Sequence, residues 1–375
     1  MAYYKLEDLA RETLETRQKI RSKNLDDKHF CLVPFTTIIL EPDGQVGMCR
    51  HKGSDFPIGH IQQNTISEIW NSPKARSWRK SFLEGGTGFC TKEIAHQRCN
   101  HCSENNKLLD DIELAEVQTS PILKLTANLN GKCNLQCQMC DIWKKPNGLY
   151  NDENFWIPAR REIFPFIKEV DMLSGEPFIQ ADTYRLIDEV KALNPDCQWN
   201  FTTNAHWKLT SGVKEKLDQI KIKNIIISVD SFDPETYHKI RFPGKLETVL
   251  STIDELIAYN KSRVERGLGA IRMSVNFLAQ KDNYREIDTA IDFIESKEIS
   301  PFVTFTYNPL ECSLLDFPES KRMDIVMELL SMTPYKILRA MRVINPLIDS
   351  LKGINKAQAL VVLQSKLPQN LMEVK

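Results

Sequence analysis

From about residue 120 onward the chain alternates between two hydrophobic rhythms. Short runs such as ILKLTANLN, IIISVDS and MSVNFLA place apolar residues at every second position or fill the run with them, while stretches such as TYRLIDEVKAL repeat them at helical spacing. The first rhythm matches the two-residue period of a strand and the second the 3.6-residue period of a helix. Six strand candidates result, at 122–129, 169–174, 198–203, 224–230, 271–278 and 301–307. Strands and helices in alternation predict right-handed βαβ units and a parallel sheet. Six such units predict an open partial barrel whose chemistry gathers at the carboxyl ends of its strands.

The flanks follow other patterns. FTTIILEPDGQVGMC predicts a hairpin turning at Pro42, Asp43 and Gly44. Thr65 and Glu68 form a capping box that opens a helix, which Pro73 should break or kink. Beyond Pro318, MDIVMELLSM, PYKILRAMRVI and ALVVLQSKL predict helices that close the open side of the barrel, with their methionines as core. The expected class is α/β: an N-terminal helix at 1–24, a small domain at 25–115, a partial (β/α)6 parallel barrel at 118–312 and a C-terminal helical extension at 313–375.

Charge narrows the function classes. The 375 residues carry 49 Lys plus Arg against 50 Asp plus Glu, a net charge of -1, so the chain lacks the basic footprint of a nucleic-acid binder. Lys74, Arg76, Arg79 and Lys80 cluster on a predicted helix and read as its solvated face. No run approaches the ~18 apolar residues of a membrane span, and MAYYKLEDLARETLETRQKI lacks the apolar centre of an export signal. A cytoplasmic protein with reduced thiols is expected, without a membrane partner.

Eight of the ten cysteines fall between Cys31 and Cys140. Cys133, Cys137 and Cys140 form a C-x3-C-x2-C run directly after the first barrel strand. Iron-sulfur cubanes want four thiolates, so three leave one iron open to another ligand. A structural zinc takes four N or S ligands, and Asp141, Ile142 and Trp143 supply no fourth. The run resembles that of the radical SAM superfamily. The resemblance implies a 4Fe-4S cluster, S-adenosylmethionine (SAM), and a 5'-deoxyadenosyl radical that takes hydrogen from an unactivated C-H bond.

Further residues follow from the resemblance. LSGEP resembles the family's Gly-Gly-Glu motif with Ser174 replacing the first glycine, which makes Gly175 and Glu176 the expected contacts to the SAM amino group. Asn204 in FTTNAHW belongs to a segment that lines many barrels of the family. Ser228, Asp230 and Arg241 are expected at the SAM ribose and carboxylate, Asp230 having the alternative role of capping the helix near Pro234. Met139 stands where the family commonly has an aromatic residue.

Upstream, Cys31 and Cys49 are spaced C-x12-G-x4-C and are followed by RCNHC, which contains Cys99 and Cys102. This stretch is similar to the twitch or SPASM auxiliary-cluster domain of radical SAM maturases. The similarity implies that Cys31, Cys49, Cys99 and Cys102 hold a second 4Fe-4S cluster, with Cys90 spare; a structural zinc on the four cysteines is the alternative. His51, His96 and His101 read as polar surface residues. The domain normally follows the barrel and here precedes it, an order that leaves room for its cluster beside the barrel mouth but puts the cluster's exact placement in question.

Cys312, just past the sixth strand, is a candidate hydrogen-atom donor, with an inert buried thiol as the plainer reading. Cys197 reads as core, and His206 as an acid or base or a structural histidine. The whole implies an oxidoreductase or maturase served by an external electron donor such as flavodoxin or ferredoxin, acting on a peptide or small molecule. An iron-sulfur or zinc binding module with a non-catalytic barrel is the competing class.

Overall fold

The structure is a computed structural model and describes residues 6–26, 30–50, 56–86, 90 and 108–367. One sheet of nine strands runs through it in the order β3-β2-β1-β4-β5-β6-β7-β8-β9. Six of these are the expected barrel strands: β4 Lys124–Ala127, β5 Glu169–Met172, β6 Gln198–Thr203, β7 Lys221–Ser228, β8 Arg272–Ala279 and β9 Ser300–Phe305. They pair parallel and in sequence order. The sheet stays open, with β3 and β9 as its edges.

The alternation in the sequence becomes two faces. In β8, Met273, Val275, Phe277 and Ala279 are buried, whereas Arg272, Ser274, Asn276 and Leu278 are half-buried on the opposite face. Helices such as α6 (Ala181–Leu193), α9 (Leu246–Glu265) and α10 (Ile287–Ser296) in the crossovers place Leu186, Ile253 and Ile291 in the core. The other face is polar and cross-linked. Lys124 Nζ lies 3.3 Å from Glu169 and 3.4 Å from Asp171, Lys223 Nζ lies 2.6 Å from Glu169, and Asn200 Nδ2 donates to Asp171 at 2.7 Å.

The N-terminal hairpin does more than sit next to this sheet. β1 (Thr37–Leu40) pairs parallel with β4 from Thr37↔Lys124 to Leu40↔Ala127, so it is a seventh parallel strand. β2 (Gln45–Gly47) returns antiparallel to β1, and β3 (Gly59–His60) pairs antiparallel to β2. Gly44 turns the hairpin at φ +82°, a conformation that favours glycine. Thr65 and Glu68 make both bonds of their capping box on α3 (Ile66–Trp70), and Pro73 ends that run by opening α4 (Pro73–Leu83) at its first position.

One expectation fails here. Arg79 is no solvated residue: it is fully buried, stacked 4.3 Å over Trp70, and donates to the carbonyls of Pro34 (2.8 Å) and Trp70 (2.7 Å). Its neighbours Arg76 and Lys80 are exposed as expected. The C-terminal helices pack on the last two strands of the sheet, beside its β9 edge. α11 (Glu319–Leu330), α13 (Met341–Asp349) and α14 (Gly353–Lys366) pack Ile325, Ile344 and Leu363 against Phe277, Ala279, Val303 and Phe305. Those outward apolar residues of the last two strands need a cover, and the extension provides it. Among the described residues no helix is long and apolar enough to cross a membrane.

Candidate active site

Because the strands are parallel, the segments after β4, β5, β6, β7, β8 and β9 all emerge at one end of the sheet. The cysteine loop follows β4. Gly131 N-H donates to Asn147 Oδ1 at 2.7 Å, and a β-carbon at Gly131 would stand 2.2 Å from the Ile142 carbonyl oxygen, so the loop closes on itself only with glycine there. Gln136 N-H donates to Phe242 O at 2.6 Å and Gln138 N-H to Ile240 O at 3.0 Å, a short ladder that docks the loop on the end of α8 (Pro234–Ile240). Cys140 N-H donates to Cys137 O at 3.0 Å.

Donors surround the sulfurs. Leu135 N-H lies 3.4 Å and Asn204 Nδ2 3.6 Å from Cys133 Sγ, and Arg241 Nη1 lies 3.8 Å from Cys137 Sγ. Burial pushes all three thiols up, Cys137 to about 11; Arg241 acts against this at Cys137, and the charges of the other two cysteines add to it. A cationic iron centre would stabilise the three thiolates that protein alone disfavours. Among the described residues no three metal-ligating side chains converge closely enough for a single ion. Arg241 Nε and Tyr237 Oη are buried without a hydrogen-bond partner. The donor set and these spare polar groups fit an iron-sulfur centre with a polar ligand beside it.

The segment after β5 carries Ser174, Gly175 and Glu176. Ser174 Oγ donates to Asn130 O at 2.9 Å, while Gly175 sits at φ +58° with Lys132 O against it. Glu176 is fully buried. Its carboxylate accepts from Thr203 Oγ1 (2.8 Å), Asn204 N-H (2.7 Å) and Phe178 N-H (3.2 Å), and burial pushes it up to about 7 in spite of these bonds. Glu176 therefore holds the segment after β6 in place.

That segment turns through Ala205 at φ +54°. Asn204 Nδ2 reaches Asn134 Oδ1 at 2.9 Å as well as the Cys133 sulfur. His206 accepts from Lys245 N-H at Nε2 (3.2 Å), and its carbonyl accepts from Asn134 Nδ2 (2.6 Å). These bonds make it a structural histidine that ties three loops together. Burial holds its pKa below the usual histidine value.

After β7, Asp230 and Arg241 form a buried pair at 2.7 Å. The helix cap is Asp233, whose Oδ1 accepts from Thr236 N-H at 2.8 Å, so the alternative capping role for Asp230 does not hold. Ser228 is half-buried at the end of β7. Cys312 is nearly buried, with Sγ 3.9 Å from Gln138 O, which brings it against the cysteine loop. Cys197 is core, as expected.

Residues overlooked in the sequence lock the loops. Gln180 Nε2 donates to Lys132 O (2.8 Å) and Ser174 O (2.9 Å). Gln138 Nε2 reaches Gln280 Oε1 and Asp282 Oδ2, both at 3.2 Å, and Trp207 Nε1 donates to Thr203 Oγ1 at 2.7 Å. Each lies in a segment that follows the carboxyl end of a barrel strand, which is the signal available to a reader of the sequence.

Among the auxiliary cysteines, Cys49 lies away from the barrel mouth. Cys49 leaves β2 two residues past Gly47, which pairs with Ile39, so it emerges at the amino-terminal end of the parallel strands, opposite the cysteine loop. Arg50 beside it acts electrostatically on Lys124, the first residue of β4. The antiparallel return of β2 puts it there rather than at the mouth. Cys31 and Cys49 are half-buried against the main core. Cys90 is likewise half-buried, and Cys99, Cys102, His51, His96 and His101 lie outside the described residues.

Comparison with known proteins agrees with this division. Residues 31–103 match the iron-sulfur cluster-binding domain family SPASM, and residues 128–294 match the radical SAM superfamily. The probable GTP 3',8-cyclase of Methanocaldococcus jannaschii is 27% identical over 177 residues, 46% of this chain and 55% of that protein. The GTP 3',8-cyclase of a Sulfurovum species is 28% identical over 184 residues, 47% and 52% of the two chains. The chain spans about half the length of these curated relatives. The crystal structure of Streptococcus suis SuiB bound to precursor peptide SuiA superimposes with TM-score 0.43 at 17% identity, covering 68% of this chain and 53% of that one.

A radical SAM domain works with a 4Fe-4S cluster and SAM, and a SPASM domain with an auxiliary iron-sulfur cluster. Cys133, Cys137 and Cys140 fall within residues 128–294, the radical SAM match, and Cys31, Cys49, Cys99 and Cys102 within residues 31–103, the SPASM match. The chain carries a radical SAM domain at residues 128–294 and, ahead of it, an iron-sulfur cluster-binding SPASM domain at residues 31–103.

Proposed function

We propose that this enzyme uses Cys133, Cys137 and Cys140 to hold the reducing cluster and that it abstracts hydrogen from a peptide or small-molecule substrate. When bound and reduced, the cluster supplies an electron to the sulfonium of SAM and releases the 5'-deoxyadenosyl radical. The observation that carries this reading is the set of N-H groups of Leu135, Asn204 and Arg241 on the sulfurs of a three-cysteine loop at the carboxyl end of the sheet.

The chain's own residues divide the remaining work. Glu176 fixes Asn204, and Asn204 orients the Cys133 sulfur. Gly175 lets the backbone approach the loop, and Ser228 offers a hydroxyl on the polar face. Cys312, packed against Gln138, is the candidate to return a hydrogen atom to a substrate radical. The auxiliary cysteines would relay an electron or bound the substrate site, and flavodoxin or ferredoxin would deliver the electron.

The relatives are named as cyclases acting on GTP, whereas the sequence reading placed the chain among oxidoreductases or maturases. Their similarity makes GTP the first small molecule to offer. The test is 5'-deoxyadenosine formation from SAM by the anaerobic, reconstituted, dithionite-reduced protein, with and without GTP or candidate peptides, beside a Cys133→Ala, Cys137→Ala, Cys140→Ala variant. Nucleoside from the parent protein alone supports the proposal. A parent loaded with iron and sulfide that forms none under any of these conditions is a binding module instead.

A further inference from the structure

Arg241 was expected at the SAM carboxylate, and its surroundings give it a further task. The side chain is 7% exposed. Nη2 stands 2.7 Å from Asp230 Oδ2 and Nη1 stands 3.8 Å from Cys137 Sγ. Asp230 is itself fixed: Oδ1 accepts from Leu278 N-H at 3.0 Å, and its backbone carbonyl accepts from Asn283 Nδ2 at 2.6 Å.

The same asparagine closes a circuit back to the cysteines. Asn283 Oδ1 accepts from Gln280 N-H at 2.8 Å, Gln280 Oε1 accepts from Gln138 Nε2 at 3.2 Å, and Gln138 is the residue after Cys137. Cys137 is thus held from one side by Arg241 on Asp230 and from the other by Gln138 on Gln280, both anchored through Asn283. Turning Nη2 to a ligand carboxylate would leave Asp230 an unpaired, fully buried charge, which proteins strongly disfavour, so Nε is the donor of Arg241 left for a ligand.

We propose that Arg241, oriented by Asp230, is a positioning residue of the cluster itself: its charge at the Cys137 sulfur raises the reduction potential of the centre. The reduced cluster carries one more negative charge than the oxidised one, so a nearby cation favours it, most of all where water is excluded. Asp230 acts in the opposite sense, both through its own charge and by drawing the guanidinium toward itself. The inference rests on the radical SAM assignment of the triad, but its readout is a potential and does not require SAM cleavage.

The experiment is an anaerobic potentiometric titration with dithionite of the reconstituted parent, Arg241→Gln, Arg241→Lys and Asp230→Asn proteins. The one-electron-reduced cluster is followed by its EPR signal, identified as the signal missing from the triple cysteine variant. At a fixed potential, Arg241→Gln is expected to lower the ratio of reduced to oxidised cluster about tenfold, a midpoint about 59 mV more negative. Arg241→Lys, which keeps the charge, should shift in the same direction by less, and Asp230→Asn should shift to a more positive value.

Opposite signs for the two neutralising variants are what a purely structural role would not produce. Shifts of the same sign, at unchanged iron content, overturn the inference. So does an unchanged midpoint in Arg241→Gln accompanied by lost SAM affinity, which returns the residue to the carboxylate. If Arg241→Gln fails to hold its cluster, Arg241→Lys and Asp230→Asn decide the matter by the same signs.

Discussion

The carbonyl oxygen of Lys132 lies 2.2 Å from the point where a β-carbon on Gly175 would stand. The turn after β5 therefore packs directly on the start of the cysteine loop, at a φ of +58° that a side chain also resists. Gly175→Ala is expected to destabilise the protein by at least about 2 kcal/mol, since backbone must move to admit the methyl group. Denaturant unfolding gives the loss, and iron content after reconstitution shows whether the loop is displaced. An alanine variant with unchanged midpoint and full iron would contradict the packing.

Glu176 predicts a pH dependence in the cluster-free protein. Burial raises its folded pKa to about 7 from 4.5, so the protonated form is the one the fold prefers. Its favourable contribution is complete below pH 4.5 and is lost as pH rises through 7, an effect of up to about 3 kcal/mol. Unfolding free energies measured between those pH values should fall for the parent and stay flatter for Glu176→Gln.

Arg79 anchors the first domain. Replacing it with Leu leaves the carbonyls of Pro34, Trp70 and Glu116 without their donor and removes the stack on Trp70. A loss of at least about 3 kcal/mol is expected, while Arg76→Leu on the exposed side should cost under about 1 kcal/mol. Thermal unfolding of the two variants side by side tests the difference.

Metal content separates the two cysteine sets. The parent should hold about eight irons per chain, and removal of either Cys133, Cys137 and Cys140 or Cys31, Cys49, Cys99 and Cys102 should leave about four. Four irons and one zinc in the parent would mean that the first domain carries a structural zinc.

Much of this was legible in the chain. All six barrel strands lie where the period-two runs place them, because residues such as Val275 and Phe277 are buried on one face and Ser274 and Asn276 are not. The end of the sheet that carries the cysteine loop followed from the parallel topology. What was not legible depends on contacts distant in sequence. Nothing local to Thr37–Leu40 distinguishes a free hairpin from one paired with β4. Arg79 looked like its neighbours because a helix position does not reveal what covers it. Asp230 was read as a cap or a ligand, since Arg241 and Leu278, its true partners, lie in other units.

The pairing of β1 with β4 also bears on how the chain is made. Thr37 leaves the ribosome long before Lys124, its partner in the sheet, exists. Until then β1 has an unpaired edge, and the hairpin of the first domain waits as a strand seeking a neighbour. The two domains identified by family are therefore one folding unit along this seam. Cutting the chain between them would bare β1 on one product and β4 on the other, and both would be prone to edge-to-edge association.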